Sequence, residues 1–394
     1  MFPTSNLPSV QISRRGSTRI KEGHVWVYRS DILSSDGAAP GALVSVSDDR
    51  GKFLGTALYS SSSQIAIRMI SPERVADLAG LIRHRIRQAM DYREPLVRDT
   101  DAYRVIFSEA DFLPGLIVDR YNDVLSVQIL TQAMDSELAR QAVVSELDER
   151  LKPRSMTERV DPRIRDLEQL PARASGLIQG DKTSTIITMN GVQFFYEAQE
   201  GQKTGAFLDQ RENYAAAAHY ARGEALDVFS YHGGFALHLA KSCSKVTGVD
   251  SSRPALEVAD KNATRNGYEI EWIEANAFDL LKDYSAGGRQ YDAIVLDPPA
   301  FAKSKRTLST ALRAYKELNL RALKMLRAGG FLVTCSCSYH VSQGEFLAVI
   351  TEAARDARRT LRIVENRTQA KDHPILASVP ETAYLKCVIA AVSN

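Results

Sequence analysis

Two cysteines one residue apart close an apolar run late in the chain, Leu332-Val333-Thr334-Cys335-Ser336-Cys337-Ser338. Positions 335 and 337 share one side of a strand, so both thiols can face a cleft at its carboxyl end. Buried cysteines are usually inert small hydrophobes, a reading that suits Cys243 and Cys387. A thiol at a strand end is instead a candidate nucleophile. The preceding strand-like run ends in Asp297-Pro298-Pro299-Ala300-Phe301. Its two prolines stiffen the turn and carry no N–H, which leaves carbonyls and the Asp297 carboxylate to grip a planar nitrogenous group.

Upstream, a strand-like run leads into Asp227-Val228-Phe229-Ser230-Tyr231-His232-Gly233-Gly234. Glycines between a strand and a helix let the backbone approach a cofactor closely. The turn lacks the G-x-G-x-x-G that seats a pyrophosphate, so a nicotinamide dinucleotide is disfavoured. S-adenosylmethionine, which has no phosphate, does not need that cradle. Asp250, at the end of the next strand, can accept both ribose hydroxyls, unless it merely caps the following helix. Asn276, Ala277 and Phe278 end a third strand, where the adenine edge and face would lie. Asp227, Ser230, Gly233, Asp250, Asn276, Ala277 and Phe278 are the candidate cofactor residues, and Asp227 orients the loop or meets the methionine amino group.

A methyl donor beside a thiol gives the cysteines a task. Carbon 5 of a pyrimidine is a poor nucleophile, but a thiolate adding to carbon 6 converts the ring to an enamine that can attack a sulfonium methyl group. Asp297, hydrogen-bonded to N3 and the amino group of a cytosine, would stabilise the adduct as charge develops. Residues 201 to 213, GQKTGAFLDQREN, read equally as a helix-capping linker or as a lid that turns Lys203, Thr204, Asp209 and Arg211 inward. Two basic groups could hold RNA phosphates. One is Lys303, Lys305 and Arg306, just after the Asp-Pro-Pro turn. The other is Arg14, Arg15, Arg19 and Lys21, interleaved with Trp26 and Tyr28. Solvated surface accounts for either as well.

The elements that must position these residues fall into three blocks. Residues 1–72 read as short strands (VWVY, ALVSVS, FLGTALY, IAIRMI) broken by turn residues, a small all-β unit. Residues 73–190 read as a mixed α+β connector: a helix over 73–92, the hairpin GLIVDR-YND-VLSVQIL, the helix MDSELARQAVVSELDERL, and a polar, proline-punctuated stretch from Lys152 to Gly180. A hairpin about Asn190-Gly191 follows. From 191 to the end, strands and helices alternate in an α/β pattern that predicts a doubly wound, mostly parallel sheet with ligands at its carboxyl edge.

Composition narrows the class. Of 394 residues 44% are hydrophobic and 25% charged, which suits a folded, multidomain protein rather than a disordered one. With 50 Lys and Arg against 48 acids, affinity for nucleic acid must come from local patches. The four cysteines lack zinc-site spacing, so no metal is expected. No run approaches the ~20 apolar residues of a membrane span, and the N-terminus does not read as a signal peptide. The expectation is a cytoplasmic protein with no membrane partner.

The motifs GHVWVYRSDI, LPGLIVDRYNDVLSVQ, GQKTGAFLDQREN, LDVFSYHGGFALHLA, LDPPAFAKSK, the SCS of LVTCSCS and a late DHP resemble, in the same order, those of the ribosomal RNA large subunit methyltransferase I family of cytosine-C5 enzymes. The resemblance spans nearly the whole chain. It implies an N-terminal PUA domain, a small central domain, a class I methyltransferase domain with a seven-stranded sheet, S-adenosylmethionine as donor, and a cytosine of 23S ribosomal RNA as target, free or in an assembling particle. The wider RNA cytosine-C5 group carries its nucleophile in a Thr/Ser-Cys-Ser strand end, and alignment on V-x-x-x-C-S puts it at Cys337. Many of those enzymes carry a second cysteine directly after Asp-Pro-Pro, where this chain has Ala300. Two other functions remain open: methylation of an exocyclic amino group at the Asp297–Phe301 turn without a covalent intermediate, and non-catalytic RNA binding during ribosome assembly. A homodimer is compatible with the chain, and nothing in the sequence selects an oligomeric state.

Overall fold

The computed structural model describes residues 7–198, 206–302 and 304–394. They form two compact units. The first comprises the described residues of 7–187, 196–206 and 371–382, and the second those of 188–195, 207–370 and 383–394.

The first unit begins with β1 (Ser9–Ile12), α1 (Arg14–Lys21), β2 (Trp26–Tyr28), β3 (Ile32–Ser34), β4 (Leu43–Ser47), β5 (Phe53–Tyr59) and β6 (Ile65–Ser71). The strands make one six-stranded sheet in the order β2-β6-β5-β4-β1-β3. In β4 the alternation is plain, with Val44 and Val46 buried between half-exposed neighbours. The helix α1 corrects the all-strand expectation. Ser13 caps it by accepting from Gly16 N at 3.2 Å, and its buried side is made of Gly16 and Ser17. A helix that packs through a glycine and a serine has no apolar stripe to reveal it.

The same unit continues with α2 (Leu78–Arg93), β7 (Ala102–Phe107), β8 (Leu116–Tyr121), β9 (Val124–Ile129), α3 (Glu137–Leu151), β10 (Ser155–Glu158), α4 (Pro162–Leu167) and β11 (Gly176–Gln179). Its five-stranded sheet runs β11-β10-β9-β8-β7. The elements β10, α4 and β11 lie where a polar, proline-punctuated stretch was expected. Buried ion pairs organise them: Arg140 reaches Glu158 at 2.7 Å and Arg165 reaches Asp135 at 3.0 Å. The segment Lys371–Thr382 belongs to this unit, where the Asp372 carbonyl accepts from Arg93 at 2.8 Å and its carboxylate from Arg104 N at 2.8 Å.

The hairpin β12 (Ser184–Met189) and β13 (Val192–Glu197) turns on Asn190 and Gly191, with φ of 51° and 76°, as the dipeptide predicted. The second unit follows with α5 (Arg211–Tyr220), β14 (Glu224–Val228), α6 (Gly234–Leu239), β15 (Lys245–Asp250), α7 (Arg253–Asn266), β16 (Glu271–Glu274), α8 (Ala277–Ala286), β17 (Tyr291–Leu296), α9 (Leu308–Met325), β18 (Leu326–Ser336), α10 (Gln343–Ala357), β19 (Thr360–Arg367) and β20 (Lys386–Ser393). Asn276, Ala277 and Phe278, expected to end a strand, instead cap and open helix α8, because the Asn276 side chain accepts from Phe278 N.

The seven strands order as β16-β15-β14-β17-β18-β20-β19, with β20 antiparallel to both neighbours and the rest of the pairs parallel. From β14 the chain moves outward through β15 and β16, then returns to place β17 and β18 on the other side. The reversal point lies between β14 and β17, where an open α/β sheet offers a crevice at its carboxyl edge. Buried Ala293, Ile294, Val295 and Leu296 of β17 give the near-continuous apolar run of a strand covered on both faces. Among the described residues, no helix is long and apolar enough to cross a membrane, and no cluster of His, Cys, Asp and Glu suits a metal ion.

Candidate active site

The loop after β14 is built against its own conformational preference. Phe229 and Tyr231 hold φ of 71° and 48°, and Gly233 holds 84°. Non-glycine residues with left-handed backbone persist where surrounding bonds impose them, and they cluster at ligand sites. Here the bonds are explicit. Phe229 N and Ser230 N both donate to Val249 O at 2.9 Å, Ser230 Oγ donates to Asp227 O at 2.9 Å and accepts from Val249 N at 3.0 Å, and Tyr231 N donates to Asp250 Oδ2 at 2.9 Å. A Cβ on Gly233 would lie 2.2 Å from Leu237 Cδ1, and one on Gly248 would lie 2.2 Å from the Trp272 ring. The loop therefore rests on β15 and on an indole supplied by β16.

Asp227 ends β14 with a carboxylate that is almost wholly buried. Its Oδ2 accepts from Ala236 N at 2.9 Å, whereas Oδ1 is buried with no hydrogen-bond partner. Burial pushes this carboxyl up to about 7, with Asp297 and Asp250 adding repulsion. An unpaired buried acceptor of this kind fits an ammonium group, which S-adenosylmethionine carries on its amino-acid part. Asp250 accepts from Tyr231 N and, at 2.9 Å, from Ser252 N. A carboxylate has about four lone-pair sites, so two ribose hydroxyls can still be taken. Asn276 spends its Oδ1 on Phe278 N at 2.9 Å as the cap of α8. Phe278 lies 6.0 Å, centroid to centroid, from Phe301.

At the next strand end, Asp297 Oδ1 accepts from Gln210 Nε2 at 2.9 Å. Gln210 is fixed in turn by Asn213, which donates to its Oε1 at 2.7 Å, and Asn213 accepts from Arg367 Nε at 2.8 Å. The Cys337 thiol donates to Pro298 O at 3.8 Å, so the sulfur stands at the Asp-Pro-Pro corner. Cys335 takes a different place. It is fully buried opposite Cys387 in the β18–β20 register, and burial together with that facing thiol pushes it well above the ordinary thiol range. The expectation that both thiols could face the cleft is thus corrected: β18 ends at Ser336, and only Cys337 lies beyond its packed portion. The flanking serines turn inward. Ser336 Oγ donates to Tyr315 OH at 2.9 Å, Tyr315 OH shares a 2.9 Å bond with Ser338 Oγ, and Ser338 Oγ accepts from Ala302 N at 3.1 Å.

A model described as an S-adenosylmethionine-dependent methyltransferase matches residues 114–390, and one described as a PUA-like domain matches residues 10–72. Proteins of Yersinia pseudotuberculosis and Yersinia pestis named ribosomal RNA large subunit methyltransferase I are 37% identical over 375 residues, covering 92% of this chain and 94% of theirs. The chain belongs to the ribosomal RNA large subunit methyltransferase I family. As a member it is an S-adenosylmethionine-dependent methyltransferase with a PUA-like N-terminal domain. SMU.776 complexed with SAH shares the fold at a TM-score of 0.84 and 19% identity, covering 98% of this chain and 100% of that one. A Streptococcus mutans protein described as a SAM-dependent methyltransferase does so at 0.82 and 19%.

Within this family member, Asp227, Asp250, Asp297 and Cys337 all fall at neighbouring strand ends of the sheet. Ser230 and Asn276 use their side chains to hold the loop and cap α8, and Ala277 is buried at the start of that helix. Arg211 is buried at the start of α5, its carbonyl accepting from Asn190 at 2.8 Å. Lys203, Thr204 and Lys303 lie outside the described residues, and Arg306 is exposed. Of the N-terminal cations, Arg15 and Arg19 pair with Asp31 at 2.8 and 3.3 Å, Lys21 pairs with Asp48 at 3.7 Å, and Arg14 is exposed. Gln210, Tyr315, Trp272 and Lys386 escaped the sequence reading. For Gln210 a signal existed, since it lies inside the polar GQKTGAFLDQREN run.

Proposed function

We propose that this chain methylates carbon 5 of a cytosine in 23S ribosomal RNA through a covalent adduct at Cys337. The relatives' name supplies the RNA, and the observation that carries the chemistry is the Cys337 thiol at 3.8 Å from Pro298 O in the Asp-Pro-Pro corner, beside the Asp227 loop. The Cys337 thiolate forms the S–C6 bond, and the displaced electron pair makes carbon 5 nucleophilic. Asp297, held by Gln210, hydrogen-bonds the protonated N3 and the amino group of the base. S-adenosylmethionine, when bound, supplies the electrophilic methyl group that carbon 5 takes. A base then removes the carbon 5 proton, and the returning electrons expel the Cys337 thiolate. Asp227 meets the donor's ammonium and Asp250 its ribose hydroxyls in this reading. Residues 1–72 bind RNA, with Arg14 and Arg15 as candidate phosphate contacts, and residues 73–190 connect them to the methyltransferase part, 191–394.

The test is nucleoside mass spectrometry on 23S ribosomal RNA from cells lacking the protein, after incubation with the purified chain and S-adenosylmethionine. The expected product is 5-methylcytidine, and Cys337→Ala should lose it by at least about a thousandfold, as removal of a nucleophile does. An amino-methylated base, or full turnover by Cys337→Ala, would refute the covalent route.

A further inference from the structure

Lys386 opens β20, and its ammonium is a buried charge that the chemistry above leaves without a task. The antiparallel register sets it opposite Ser336, one residue before the thiol. Only 7% of the residue is exposed. Its Nζ donates to Ser338 O and to Val341 O, each at 2.8 Å, and Val341 N returns to Ser338 O at 3.1 Å. The lysine thus fastens the turn that leaves the Cys337 strand end. Two neutral carbonyls orient an ammonium but do not neutralise it, and an ion held away from water calls for a counter-charge.

The groups facing it are few. From α10, Glu345 contributes a carboxylate already accepting from Ser342 N at 2.8 Å and Ser342 Oγ at 2.6 Å. On α9 the Tyr315 hydroxyl holds the Ser336 and Ser338 hydroxyls on either side of the thiol. Among the described residues, the other titratable group acting on it is the Cys337 thiol. Burial brings Lys386 down to about 8, opposed by Cys337 and Glu345. A cation so placed acts on the sulfur across a medium far less screening than water.

We propose that Lys386 is the positioning residue of the nucleophile: it fixes the Ser338–Val341 turn behind Cys337 and keeps a positive charge within electrostatic reach of the sulfur, favouring the thiolate. The inference rests on the covalent reading of Cys337, and its test has a readout separate from turnover. Iodoacetamide alkylation of Cys337, located by peptide mass spectrometry, is followed against pH. In the unaltered protein the midpoint should lie below the ~8.5 of an ordinary thiol. Lys386→Gln keeps an N–H donor for a carbonyl and loses the charge. It should raise the midpoint and slow alkylation at pH 7 about tenfold, the equivalent of one pKa unit. Lys386→Arg should restore the original profile. Alkylation of a folded Lys386→Gln protein at the original rate overturns the lysine's role alone. So does a midpoint at or above ~8.5 in the unaltered chain, a measurement that needs no variant. Full methylation by Cys337→Ala sinks the parent reading instead.

Discussion

Asp227 concentrates the residue-scale physics of the site, because one of its oxygens is buried and unpaired while its proton affinity sits at about 7. The folded value is raised above the reference 3.8. An unfolded chain therefore gives up this proton at lower pH than the folded one. Stability without cofactor falls as pH rises from about 4 to about 7 and then levels, since the folded state must retain a proton or bear an unbalanced charge. A bound ammonium reverses the preference by pairing with the ionised form. Titration calorimetry should show affinity for S-adenosylmethionine rising between about pH 6 and 8, with the rise missing in Asp227→Asn. The ligand-free Asp227→Asn protein should melt no lower than the original at pH 8. A flat affinity profile in the unaltered protein would count against Asp227 as the ammonium partner.

Elements, more than single side chains, set where the Cys337 sulfur points. Ser336 and Ser338 flank it and both reach Tyr315 on α9, so one phenol pins two alternate positions of the strand end and leaves residue 337 on the opposite side. Tyr315→Phe removes that hydroxyl from a buried site and takes one hydrogen-bond partner from each of two serine hydroxyls. It should cost about 1–3 kcal/mol, read as a lower urea midpoint with an unchanged slope, and methyl transfer should fall with it. The same elements divide what was legible in the sequence from what was not. The strands of the large sheet could be read because covered strands are continuous apolar runs and the helices between them keep a 3.6-residue period. Helix α1 was hidden by packing through Gly16 and Ser17, and β10, α4 and β11 by ion pairs in place of apolar contacts. At the candidate site, the strand-end placement of Asp227, Asp250, Asp297 and Cys337 was legible from residue type and the order of the runs. Lys386 was not, because a lone lysine at the head of the apolar CVIAAV reads as a strand-edge charge. Only the register with β18 brings it beside the strand end that carries Cys337.

At the scale of the molecule, a net charge of +2 leaves no global attraction for RNA, so phosphate contacts must come from local groups. Asp31 and Asp48 already partner three of the four N-terminal cations singled out by sequence, and Arg19 also lies 4.8 Å over the Tyr28 ring. Arg14, exposed, and Arg15 and Lys21, whose side chains keep 65% and 56% of their exposure despite their pairs, are the candidates of that group to meet a polyanion. The candidate cofactor residues fall differently, since Asp227, Ser230, Gly233, Asp250, Asn276, Ala277 and Phe278 all belong to the second compact unit. Two units with separate cores need not unfold as one. A ligand that binds only folded protein stabilises it by about 2.7 kcal/mol at a hundredfold excess over its Kd. For a unit of roughly 150–250 residues that corresponds to a rise of roughly 5–11 °C. Differential scanning calorimetry with and without S-adenosylmethionine should therefore resolve two transitions and move one of them upward by that amount, leaving the other in place. Equal movement of both transitions would mean that donor binding is linked to the N-terminal sheets as well, and that the cofactor residues assigned to the second unit do not account for the site.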